Sequence, residues 1–183
     1  MKKYFFISLF IFIFFVNCNS SPNYNDAKNT FIAYNDCIKE LNFLGASKYI
    51  LKEDLDNFKN GFLDILDKIN NSSDNELLYL KLSLLKGEDI NNISSDNFFV
   101  NFMEFTMSIP NVSKAYTLMA ELDCTITNVF HDDTNDTLII KYVMGNENFK
   151  INGEETMVYR NGSWFLKLKQ DMVELAKLFQ SLL

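Results

Sequence analysis

Apolar residues recur three and four positions apart through the first half of the chain, then alternate with polar residues through much of the second half. The first periodic stretch predicts a helix over 26–45. Phe31, Tyr34, Ile38, Leu41 and Leu44 fall on one face, Asn25 or Asp26 can cap the start, and Gly45 can end it. A second helix is predicted over 53–69, carrying Leu55, Phe58, Phe62, Ile65, Leu66 and Ile69, with Asn70-Asn71-Ser72 as its break. Ser73-Asp74-Asn75-Glu76 has the spacing of a capping box and opens a short helix that closes at Gly87. A fourth helix runs from Ser95 to about Thr106, with Pro110 marking the exit. Its stripe of Phe98, Phe99, Phe102 and Phe105 reads first as core and second as a groove for lipid or a partner.

The period then changes. From Leu118 to Phe130 the even positions Leu118, Ala120, Leu122, Cys124 and Ile126 are apolar, while Glu121, Asp123, Thr125 and Thr127 are polar. That alternation predicts a strand with one wet face. Residues 131–136 read as a turn, and Thr137 to Met144 is apolar on both faces, as in a central strand. Glu154 to Tyr159, a turn at Arg160-Asn161-Gly162-Ser163, and Trp164 to Leu168 predict a hairpin. A last amphipathic helix is predicted over Asp171 to Leu182. Helices followed by antiparallel strands give an α+β class, with no repeat and no linker between 26 and 183.

Ahead of these elements stands a different pattern. Lys2 and Lys3 precede a nearly unbroken apolar run, Phe5 to Val16, and then Asn17 and Cys18. The run is shorter than the roughly 17–25 residues that span a bilayer and suits the apolar part of an export signal. Phe15-Val16-Asn17-Cys18 resembles a bacterial lipoprotein lipobox. The usual pattern has Leu three places before the cysteine, then small residues; here Phe15, Val16 and Asn17 fill those places. The resemblance implies a signal over 1–17, acylation of Cys18, and a polar tether over 18–25. Two or more acyl chains hold stably to a bilayer where one holds only marginally. The domain would then sit in the cell envelope, on a periplasmic or cell-surface face. Asn19, in place of an Asp, favours an outer membrane where the cell has one.

Charge narrows the partners. The formal net charge is −7. Loss of Lys2 and Lys3 with the signal leaves 15 basic against 24 acidic residues, a net −9. A domain this acidic repels phosphate backbones and anionic headgroups, so nucleic acid is disfavoured and the anchor is the expected route to the membrane. With Cys18 acylated, Cys37 on a helix and Cys124 on a strand remain. Outside the cytoplasm they are available for a disulfide; otherwise they are two small core residues.

Asn161-Gly162-Ser163-Trp164-Phe165-Leu166, with the spacing of the preceding strands, looks like the nuclear transport factor 2-like superfamily. The resemblance covers roughly residues 26–169. It implies a cystatin-like roll, helices packed on a curved antiparallel sheet, with the terminal helix as an addition. It also implies a cavity of the kind that ketosteroid isomerase and scytalone dehydratase use, or a sheet face that supports dimers.

Chemistry is sparse. His131 is the only histidine, which excludes a multi-histidine metal site. Beside Asp132 it reads as a solvated turn residue before it reads as half of a dyad. Asp132, Asp133 and Asp136 lack the Gly and Glu that a calcium loop places at its sixth and twelfth positions. Glu121 and Asp123 share a predicted strand face and form the one carboxylate pair placed to face a cavity; the solvent face is the plainer reading. No phosphate-cradling loop, CxxC or G-x-S-x-G is present. The expectation is a tethered, non-catalytic domain without cofactor or metal that binds a protein partner, a second copy or a small apolar ligand. Its rival is a cavity enzyme acting on a small apolar molecule.

Overall fold

The computed structural model describes residues 23–63, 66, 75–133, 136–147 and 149–169. The signal, Cys18, the capping box serine Ser73, Ile65, Ile69 and the terminal helix expected over 171–182 lie outside them. Among the described residues, six helices precede a four-stranded antiparallel sheet of order β1-β2-β3-β4. The class is α+β, as the change of period predicts, and the sheet is curved.

Helix α1 spans Tyr24–Lys39 and opens inside the stretch expected to be tether. Asn23 caps it by accepting the Asn25 N–H, and the Asn23 carbonyl receives the Trp164 indole N–H at 3.1 Å. This entry point is therefore fixed to the sheet. The helix predicted to reach Gly45 stops early. Leu41 takes a left-handed φ of 57°. Asn42 then caps a separate short helix, α2 (Phe43–Ser47), by accepting the Gly45 N–H. The break rotates the face: Leu41 and Leu44, predicted as core, are exposed, and Phe43 is buried instead.

Helix α3 (Lys52–Gly61) buries Leu55 and Phe58, and Phe62 and Leu66 continue the same face. Helix α4 (Asn75–Leu85) ends where Lys86 and Gly87 both turn to positive φ. Helix α5 (Ser95–Ser108) is capped by Ser94, which accepts the Asn97 N–H. Phe98, Phe99 and Phe102 bury against Phe58 and Phe62, with ring centroids 5.0–6.3 Å apart. The aromatic stripe is core.

Pro110 lies just past the end of α5, as expected of the residue that marks its exit. It opens a sixth helix, α6 (Pro110–Ala120), where its missing N–H costs nothing because first-turn amides have no partner in the helix. Leu118 and Ala120, predicted to begin the strand, are helical, and Glu121 is the C-cap. The strand begins at Asp123.

Strands β1 (Asp123–Asp132), β2 (Thr137–Gly145), β3 (Lys150–Arg160) and β4 (Ser163–Leu166) form the meander. In β1 the register shifts between Ile126 and Asn128, which leaves Thr127 as a bulge. The inward set accordingly passes from Cys124 and Ile126 to Val129. β2 is central, as its two apolar faces predict. The β3–β4 turn is Asn161-Gly162 with φ of 51° and 85°, the left-handed pair that a tight hairpin requires. The outer edge of β4 meets Ile50 through the Leu51 N–H to Leu166 carbonyl bond at 2.8 Å and the Leu166 N–H to Tyr49 carbonyl bond at 2.7 Å.

Two cores result. One is helical and aromatic, built on Leu55, Phe58, Phe62, Phe98, Phe99 and Phe102. The other seats Ala27 and Phe31 of α1 on Leu138, Ile140, Met157, Trp164 and Leu166 of the sheet. Tyr34 packs against both.

Candidate functional site

Helix α1 does not cover the whole sheet. Between it and β1 lies a cleft of about 560 Å³. Phe31, Ile32, Asn35, Asp36 and Lys39 line one wall and Asp123, Cys124, Thr125 and Ile126 the other. The helical residues fall on one face because their spacing follows the helical period. Two bonds hold the end of α1 in place. Lys39 Nζ donates to the Leu122 carbonyl at 2.6 Å, and the Tyr116 hydroxyl of α6 donates to the Ile38 carbonyl at 2.8 Å.

The floor is apolar and the rim polar. Phe31 stacks at 5.0 Å on Tyr142 beneath it. Burial pushes the Cys124 thiol up, against the lowering effect of Lys39, which keeps it a neutral thiol at neutral pH. Asp123 is exposed at the rim rather than enclosed. Glu121, at the end of α6, does not share a strand with it. The two carboxylates are both exposed, in line with the plainer solvent-face reading, and do not form a pair within a cavity. Cys37 and Cys124 are both half-buried free thiols, so the helix-to-strand disulfide is not made.

A second polar group sits deeper on the sheet face turned to α1. Glu155 occupies an inward position of β3 opposite Ile140. It accepts the Tyr142 hydroxyl at 3.2 Å and pairs with Lys169 Nζ at 2.9 Å, with its side chain 16% exposed. Gly153 faces Tyr142 across the strands, and a Cβ there would overlap the tyrosine ring. Burial, then the Glu155 charge, holds the Tyr34 and Tyr142 hydroxyls well above the ordinary phenol range. Burial raises Tyr116 to about 12. All three stay protonated donors at any physiological pH.

Sequence reasoning missed this group. The available signal was parity: Glu155 has the same phase as Met157 and Tyr159, both packed inward, so a carboxylate stood on an apolar face.

His131 lies at the other end of β1. Asp133 Oδ1 stands 2.7 Å from its Nδ1 and Asp136 Oδ1 3.2 Å from its Nε2. Six residues of strand separate it from Thr125, roughly 20 Å at the usual rise, so it does not serve the cleft. Among the described residues no three His, Cys, Asp or Glu side chains group to hold a metal ion. No described helix is long and apolar enough to cross a membrane. No family model, curated protein or solved structure matches the chain.

Proposed function

We propose that this chain is a lipid-tethered binding domain of the cell envelope, anchored through Cys18 and non-catalytic, with the cleft between α1 and β1 as its recognition site. The cleft carries the reading. It is concave, of ligand size, apolar at Phe31 and Ile126, and rimmed by the few polar groups Asn35, Asp36, Lys39 and Asp123. The acidic composition supports the tether, because a domain that repels anionic headgroups needs a covalent hold on the bilayer.

Metabolic labelling with a radioactive fatty acid tests the anchor. Label enters the wild-type chain and is absent from Cys18→Ala; equal labelling of both removes the anchor. For the cleft, backbone amide shifts are followed while small apolar amines are titrated. Shifts gather at residues 31–39 and 123–126 and vanish in Ile32→Arg, a substitution at an exposed position. Shifts centred elsewhere remove the cleft from the reading.

A further inference from the structure

We infer that the cleft is a strand-addition site: it receives a short extended peptide bearing basic residues, which pairs with the open edge of β1 under the overhang of α1. The inference rests on the cleft being the recognition site and names its ligand class.

The lining pattern points to the strand's edge. Side chains along a strand alternate between the two faces. Cys124 and Ile126 face inward, packed with the α1 core, and Asp123 and Thr125 are exposed. Yet all four consecutive residues line the same cleft. A cavity touches four consecutive strand residues when it approaches along the backbone edge instead of over one face. One edge of β1 is paired with β2, from Asp123↔Gly145 to Ile126↔Tyr142. Among the described residues, no strand pairs with the other edge. That edge presents alternate N–H and C=O groups, the template that an added strand completes.

The template is short, and this decides between occupants. At Thr127 the bulge shifts the register, with pairing to β2 resuming from Asn128 to Asp132, and just past it Asn128 Oδ1 accepts the Val129 N–H at 2.9 Å. That amide is thus engaged by its own neighbour. The bulge and the side-chain cap blunt the upper half of β1 against a second full-length strand, such as β1 of another copy. Four residues remain, roughly 13 Å of extended chain. Charge sets the ligand's sign. Asp36 and Asp123 flank the opening, Lys39 is held by the Leu122 carbonyl, and the chain carries −7 overall. A cationic segment is drawn to this rim and an acidic one repelled.

The test uses the full chain and a pool of acetylated hexapeptides with lysine at both ends and Val, Ile, Thr or Phe between. Binding is expected to shift amides 123–126 and 31–39, slow hydrogen exchange at alternate residues of 123–126, and weaken as salt rises. Exchanging both lysines for glutamate lowers affinity at least tenfold. Two N-methylated sets, with alternate amides blocked and the phase offset by one residue, separate pairing from a side-chain pocket. Pairing requires one set to lose at least tenfold and the other to be nearly unaffected; equal behaviour of the two overturns the inference. So does concentration-dependent dimerisation with the same shifts and no peptide, which assigns the edge to a second copy. If apolar amines bind the cleft and the peptides do not, strand addition falls while the cleft stands. If neither binds, both fall.

Discussion

His131 shows how neighbours set one residue's behaviour. The hydrogen bond to Asp133 contributes most to raising its pKa above the ordinary 6.5; desolvation, the next largest effect, opposes it, and Asp136 adds to the rise. A raised folded pKa means that the imidazolium stabilises the β1–β2 turn fully below the unfolded value and that this stabilisation is lost as pH rises through the folded value. A titration of the ring protons by NMR should give a midpoint above 6.5, and Asp133→Asn should bring it down. A wild-type midpoint at or below 6.5 would break the clamp. Asp96 works in the other direction. Burial alone would raise its carboxyl, but the Lys52 ammonium at 2.7 Å and the Ser47 hydroxyl outweigh burial and lower it. Its contribution is present at neutral pH and fades as pH falls through the lowered value.

At the scale of elements, local backbone geometry decides where helices and strands stop. Leu41 is an exposed, branched side chain at a φ of 57°. Its Cβ crowds the following carbonyl, which costs roughly 1–2 kcal/mol; Asn tolerates the conformation better. Leu41→Asn is expected to raise the urea midpoint, with a gain of about 0.5–1 kcal/mol. A lower midpoint would show that Leu41 has apolar contacts that outweigh its strain. The β3–β4 turn carries the opposite case. Nothing approaches a Cβ at Gly162, so Gly162→Ala tests conformation alone. It should cost about 1–2 kcal/mol and loosen the amides of Ser163 to Leu166 in hydrogen exchange. Unchanged protection there would show that the Tyr49 and Ile50 pairing, not the turn, holds β4. These elements were legible in the sequence to different degrees. Asn161-Gly162 announced its hairpin because few dipeptides take two positive φ angles. The α6 helix went unread because 118–126 also satisfies a period of two, and only Pro110 at a helix start argued otherwise.

For the whole molecule, the aromatic core carries the largest single dependence. Phe58 touches Phe62, Phe98, Phe99 and Phe102 and is fully buried. Phe58→Ala should cost about 3–5 kcal/mol, a large share of the roughly 5–15 kcal/mol that holds a typical domain. Chemical denaturation reads it directly; a loss under about 1 kcal/mol would mean that the helical core contributes little to the global transition. The sheet core joins the helical one through Tyr34, so unfolding monitored at Trp164 should report the same loss.

The sequence by itself determined the class of fold, the aromatic core and the hairpin, because each follows from a period or a dipeptide with one low-energy solution. It also carried the Cys18 segment and the acidic charge on which the proposed tether rests. It did not determine the cleft. Phe31 and Ile126 lie 95 positions apart, and only packing α1 across the sheet, with no described strand on the outer edge of β1, makes them walls of one space. Likewise, Glu155 gained its tyrosine partners only through the strand register, since a register shifted by one residue would have turned it to the other face.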